Sequence, residues 1–95
     1  MYKVHILKAV RKDLKKLSKQ AAARIVNSCL PQLSKDPYLG VPLSGNLKGY
    51  RKYVFKFQNV SYRIVYRIYK KEKVVLIIAI GPREKFYEKL LKRIK

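Results

Sequence analysis

Carboxylates are scarce in this chain: five Asp plus Glu stand against 24 Lys plus Arg in 95 residues, a formal net charge of +19. The few acids are scattered, which excludes a carboxylate-built metal site. A single histidine, His5, excludes a His–His acid/base pair and leaves a Ser-His-Asp triad without support. Its place at the start of the chain fits a structural role. A single cysteine, Cys29, rules out a disulfide framework and a Cys-based zinc site, and its position on a helical seam fits a small buried hydrophobe. Neither a metal nor an organic cofactor is expected. Long apolar runs are missing too. The longest, Val74 to Ile80, falls well short of the roughly 20 residues needed to cross a bilayer. The first residues are too short and polar a stretch for a signal peptide, with Arg11-Lys12 following at once. A soluble, cytoplasmic protein is expected, with no membrane contact. Its partners are expected to be polyanions: nucleic acid, an acidic protein, or both in turn.

What the chain has is apolar content: 48% hydrophobic residues, with 8 Tyr and 3 Phe among them. That suits a folded chain and not a disordered basic tail. The length gives a single domain over residues 1–95. Residues 1–35 carry 9 basic and 1 acidic side chains, residues 36–60 carry 4 and 1, and residues 61–95 carry 11 and 3. No block of like charge stands apart as a tail, so the charge belongs to the surface of a fold.

Periodicity divides the chain into elements. Tyr2 to Leu7 alternates and reads as a short strand. Val10, Leu14 and Leu17 then fall on one helical stripe opposite Arg11, Lys12, Lys15 and Lys16. Ser18 is the expected N-cap of a second helix whose buried stripe is Ala22, Ile25, Cys29 and Leu33. Pro31 is expected to kink that helix or end it early. Residues 36–49, rich in Pro and Gly, read as a loop. Three strands follow: Tyr50 to Phe57, Tyr62 to Tyr69 and Val74 to Ile80, the last apolar on both faces as a central strand should be. Short connections make them an antiparallel meander. Glu84 to Ile94, with Phe86, Leu90 and Ile94 in phase, reads as a basic amphipathic helix.

The expected fold class is therefore α+β: an N-terminal strand, a helical hairpin, a three-stranded antiparallel meander and a C-terminal helix. The hairpin covers one sheet face and leaves the other partly open. Lys52, Lys56, Arg63 and Arg67 are expected to converge on that open face, as a phosphate-binding surface on rigid strands. Tyr62 and Tyr66 alternate with Arg63 and are expected in the core.

The element order and three phrases resemble the RelE/ParE superfamily of bacterial and archaeal toxins. The phrases are Leu43-Ser44-Gly45-Asn46-Leu47-Lys48-Gly49-Tyr50-Arg51-Lys52, Tyr62-Arg63-Ile64-Val65-Tyr66 and Ala79-Ile80-Gly81-Pro82-Arg83-Glu84-Lys85-Phe86-Tyr87. Lys12-Asp13-Leu14-Lys15-Lys16-Leu17 is similar to the family's first helix, and the likeness spans essentially the whole chain. The resemblance implies a RelE-type toxin of a type II toxin–antitoxin system. Such a toxin is a metal-independent endoribonuclease that enters the ribosomal A site and cuts mRNA by 2′-hydroxyl attack on the adjacent phosphate. Carried over by position, the catalytic set is Lys56, Arg63, Arg83 and Tyr87, a tyrosine and basic residues where other ribonucleases use histidines or carboxylates. The first lysine of the family's strand pair falls on Val54, a departure. Lys52 or Arg51 is the candidate replacement, and with Arg67 they form the candidate substrate contacts.

Elementary chemistry supports such a set. In-line attack by a 2′-hydroxyl loads negative charge onto the non-bridging oxygens, and fixed cations stabilise that state more than the ground state. Arginine suits the clamp because its fork is always charged and bidentate toward phosphate. Lysine becomes a base only where its pKa falls, and crowded like charges push it down. Tyr87 either stacks on a base or shares the proton transfer with Lys56. Each assignment has a plainer counterpart. Lys56 and Arg63 also suit a solvated strand face, Tyr87 suits simple packing beside Phe86, and Arg83 suits a helix-start pairing with Glu84 or Glu88. Two other functions fit the chain: a ParE-type toxin acting on DNA gyrase, and a non-catalytic basic RNA-binding module whose affinity falls with salt. The resemblance also implies a cognate antitoxin. An acidic, partly disordered one suits a +19 surface, with the C-terminal helix either its docking element or displaced by it.

Overall fold

The computed structural model describes residues 1–82 and 85–94. Five strands, β1 (Lys3–Ile6), β2 (Val41–Pro42), β3 (Arg51–Phe57), β4 (Val60–Tyr69) and β5 (Val74–Gly81), form one sheet in the order β1-β5-β4-β3-β2. The expected meander is there, β3 to β4 to β5, all antiparallel. Gln58 and Asn59 close the first hairpin with φ of 51° and 65°, the positive pair that a two-residue turn needs to match strand twist. The run that is apolar on both faces becomes internal because β1 returns beside it, parallel, with Ile6 opposite Ile77. Residues 41 and 42, inside the expected loop, form a short edge strand on β3.

The helical hairpin packs on one face. Val10 of α1 (Lys8–Lys15) is buried against Ile64, Tyr66, Val75 and Ile77, with Leu14 and Leu17 packed beside it. Ser18 caps α2 (Lys19–Arg24) by accepting the Ala21 N–H at 3.1 Å. The buried stripe runs through Ala21, Ile25, Cys29 and Leu33, so Ala21 takes the place expected of Ala22. Pro31 does not end the helix. A π turn (Ile25–Cys29), in which the Leu30 N–H bonds back to the Ile25 carbonyl, widens the ladder just ahead of it. Pro31 follows directly in α3 (Leu30–Lys35), and the widened turn ahead of it lets the helix run on past a residue that cannot donate.

The second face is less open than expected. α4 (Lys85–Arg93) lays Phe86 and Leu90 onto Val65, Ile78 and Ala79. A register shift makes the seat: Val65 pairs with Ala79 while Tyr66 pairs with Ile77. The extra residue turns both Ile78 and Ala79 toward α4. Gly81 completes it, because a Cβ there would run into the Phe86 ring. The 36–43 segment is tied down by Tyr66, whose hydroxyl accepts from Gly40 N–H at 2.9 Å and donates to the Pro37 carbonyl at 2.6 Å. Tyr62 stacks on Phe55 at 5.4 Å, and both tyrosines are buried as expected.

Candidate functional site

Strand parity decides which cations share a face. On β3, Lys52, Val54 and Lys56 point to the α4 side, and on β4, Ser61, Arg63, Val65 and Arg67 do. Lys56 lies opposite Ser61, Val54 opposite Arg63, and Lys52 opposite Val65. Lys52 and Lys56 are therefore the two diagonal neighbours of Arg63, about 7–8 Å away at the backbone, close enough for three long side chains to reach one phosphate. No carboxylate lies on β3 or β4, so nothing on these two strands neutralises the row.

Arg63 is half-buried, with Gly81 as its partner on β5. Gly81 offers no side chain to cover the guanidinium, and Nη1 reaches the Pro82 carbonyl at 3.2 Å and the Ser61 carbonyl at 3.5 Å. The fork is thereby aimed at the end of β5. Arg83, the next residue of the expected set, lies outside the described residues. Tyr87 is half-buried on α4, packs beside the Val65–Ile78–Ala79 cluster and meets Phe86 edge-on at 5.5 Å. It is thus carried on the same sheet face as the cation row.

Two candidate substrate contacts have other engagements. Arg51 has the opposite parity on β3. Its Nε donates to the Gly40 carbonyl at 3.0 Å, its Nη2 to the Tyr38 carbonyl at 3.4 Å, and its guanidinium lies 5.1 Å from the Tyr38 ring. It braces the 36–40 segment and does not join the row, which leaves Lys52 as the cation beside Val54. Arg67 has the right parity but stands four residues, about 13 Å, along β4 from Arg63. Its guanidinium lies between the rings of Tyr50 and Tyr69, at 5.5 and 5.6 Å.

Periodicity did not reveal Asp13. It is buried, accepts the Ile80 N–H at 3.1 Å on Oδ2, and takes Arg93 in a two-pronged pair at 2.7 and 3.1 Å. Arg93 also donates to the Ile78 carbonyl at 3.0 Å. β1 stops at Ile6 opposite Ile77, so beyond it the β5 edge lacks a strand partner, and the Asp13–Arg93 pair satisfies those backbone groups instead. The signal was available: Asp13 is the lone acid of residues 1–35 and sits on the stripe of Val10, Leu14 and Leu17. Beside this pair, Lys16 at the α1 end and Lys89 of α4 line one cavity. The Lys16 contact and charge, followed by desolvation, hold the Lys89 ammonium below the usual lysine pKa, with Arg93 adding to the effect and Asp13 opposing it. Among the described residues there is no cluster of His, Cys, Asp and Glu able to hold a metal, and no helix is long and apolar enough to cross a membrane.

Comparison with known proteins matches the same span. The family model of the ParE-like toxins of type II bacterial toxin–antitoxin systems fits residues 4–91. Toxin RelG of Mycobacterium tuberculosis is 30% identical over 89 residues, covering 93% of this chain and 98% of that protein. Among solved structures, a chain of the RelBE2 toxin–antitoxin complex from Mycobacterium tuberculosis superposes with a TM-score of 0.73 at 30% identity, over 86% of this chain and 98% of that one. The isolated RelE toxin of E. coli superposes over 100% of both chains with a TM-score of 0.69 at 23% identity, a likeness of fold.

Proposed function

The chain belongs to the ParE-like toxins of type II bacterial toxin–antitoxin systems, and from that membership we propose that it is a RelE-type endoribonuclease that cuts mRNA in the ribosomal A site. The observation that carries the reading is the row of Lys52, Lys56 and Arg63 on adjacent strands of one sheet face, with no acid on either strand. A toxin acting on a protein surface has no need of three cations focused on the space of one phosphate.

In the proposed reaction the 2′-oxygen forms a bond to the adjacent phosphorus as the bond from phosphorus to the 5′-oxygen breaks. The 2′-hydroxyl proton goes to a base, and a proton is delivered to the leaving 5′-oxygen. The products are a 2′,3′-cyclic phosphate and a 5′-hydroxyl. Arg63 and Arg83 clamp the non-bridging oxygens as charge builds there, and Lys56 with Tyr87 moves the protons. Lys52 supplies from a diagonal position the charge that Val54 does not. The partner proposed to hold this toxin inactive is an acidic antitoxin, by analogy with solved toxin–antitoxin complexes of this fold and with the +19 charge it would cover. Ribosomes place the activity in the cytoplasm.

Induced expression with mapping of new mRNA 5′ ends tests the reading. Cuts inside codons by the unmutated protein, abolished in Arg63→Ala and in Arg83→Ala, are expected. Growth arrest with intact mRNA and altered DNA supercoiling would overturn it in favour of gyrase. Salt-sensitive RNA binding without cutting or toxicity would reduce the protein to a binding module.

A further inference from the structure

A cavity of about 300 Å³ lies between the end of α1, the end of β5 and the inner side of α4. Its walls are apolar: Leu17, Ala79, Ile80, Pro82, Phe86 and Leu90. Its charged lining is Lys16, Lys89, Asp13 and Arg93. Asp13 and Arg93 are spent on each other and on the β5 edge, so they hold the cavity in shape and leave its charge to the two lysines. Lys16 and Lys89 both line the cavity, and among the described residues no carboxylate lies within ion-pair distance of either. Two ammoniums with no ion-pair partner among the described residues, beside an apolar cavity, match a ligand that is anionic at one end and flat and apolar at the other.

The cavity and the cation row meet at one residue. Pro82 lines the cavity, and the carbonyl of Pro82 accepts the Arg63 Nη1 at 3.2 Å. A strand whose phosphate rests on Arg63 has only to pass over Pro82 to present its neighbouring residue to the cavity. We propose that this cavity is a nucleotide subsite, which takes a base into its apolar walls and that nucleotide's phosphate onto Lys16 and Lys89, beside the phosphate held by Arg63. The inference rests on the reading of the cation row as an RNA site and adds to it a place where sequence preference is set. An acidic peptide with an apolar anchor has similar chemistry. The meeting of the two at Pro82 favours RNA, because an RNA strand brings a base and a phosphate at each step along one path.

The test is an amide chemical-shift titration of the intact protein with adenosine, guanosine, cytidine and uridine 5′-monophosphates and with inorganic phosphate. Shifts are expected at Lys16, Ile80, Gly81 and Lys89, with at least one nucleotide bound more tightly than phosphate alone. The double variant K16Q/K89Q, at two exposed positions, is expected to bind nucleotide about tenfold more weakly, as for loss of charge-assisted contacts to phosphate. L17W, which fills the cavity mouth, is expected to lose the preference for nucleotide over phosphate. In 5′-end mapping K16Q/K89Q is expected to relax the preference among cut codons. Nucleotides binding no better than phosphate overturns the proposal, as does a Leu- and Glu-rich peptide that shifts these amides when nucleotides do not. Cutting of mRNA by a protein that gives no nucleotide titration overturns the subsite alone. A clear titration in a protein that cuts no mRNA overturns the cleavage reading alone.

Discussion

Arg63 has Val54 across from it on β3 and Gly81 across from it on β5, so no neighbour on its own row covers the guanidinium. Replacing it with alanine is expected to lower the cutting rate by about 10²–10³, as for loss of one donor to a developing oxyanion. The melting temperature should change little, because the side chain holds only two surface carbonyls. Single-turnover cleavage with a parallel melt separates the two effects. Val54→Lys puts a fourth cation directly opposite Arg63. It is expected to raise the cutting rate and to lower stability by less than about 1 kcal/mol, since like charges directly opposed on neighbouring strands repel. Tyr66 shows the opposite use of a polar atom. Burial pushes its phenol above the ordinary value, the Gly40 N–H and Arg51 opposing that only in part. Since the folded pKa is raised, the stabilisation is complete below about pH 10, the unfolded phenol value, and is lost as pH rises through the folded one. Tyr66→Phe is expected to flatten this alkaline loss while lowering neutral stability by about 1–3 kcal/mol, the cost of leaving Gly40 N–H and Pro37 C=O unpartnered. Denaturant melts between pH 7 and 11 check both statements.

At the scale of elements, α4 is held in place by a few identifiable groups among the described residues. Phe86 and Leu90 supply its apolar contact, Gly81 supplies the space, and Arg93 locks its end to Asp13 and to the Ile78 carbonyl. Arg93→Ala leaves the buried Asp13 carboxylate with the Ile80 N–H as its one remaining hydrogen bond. A cost of about 3 kcal/mol is expected, near the lower end for breaking a buried pair from one side. Amide hydrogen exchange should speed up along α4 and at Ile80 well before it does so in β4. Exchange that rises uniformly over the whole sheet would contradict this picture of a separately latched helix. The hairpin helices behave differently, because their buried stripe of Val10, Ile25, Cys29 and Leu33 meets five strand residues of the main core, Ile64, Tyr66, Val75, Ile77 and Ile80.

At the scale of the molecule the +19 charge acts in two opposite directions. The attraction to a ribonucleoprotein that the proposed function requires is screened by salt, while self-repulsion within the fold is screened as well. Raising salt from 50 to 200 mM is expected to weaken ribosome association by about 10³ or more if six or more phosphates are contacted, and over the same range to raise the melting temperature. Sedimentation with ribosomes and a thermal melt in the same buffers measure the two trends. Association insensitive to salt would point to contacts with protein in place of RNA.

The strands, the meander, the capped second helix and the two-sided burial of β5 were legible because each follows from local pattern. Period-2 alternation, period-3.6 stripes, Ser18 before a helical run and short connections are all properties of neighbours in the chain. The same parity rule separates Lys52, Lys56 and Arg63 from Arg51 once the strand is drawn. What the chain could not announce were meetings across long separations: β1 beside β5, Asp13 with Arg93, and Lys16 and Lys89 on one cavity. Nor did Pro31 announce that a π turn would let the helix run on. The sequence by itself determined most of the elements, the faces of the strands and the positive sign of the surface, because side-chain direction and charge are written residue by residue. Only the tertiary structure decided that α4 closes much of the second sheet face and leaves the cation row and the cavity beside it. That outcome depends on a bulge at Ile78, the missing side chain of Gly81 and an ion pair, which act together only when distant segments meet.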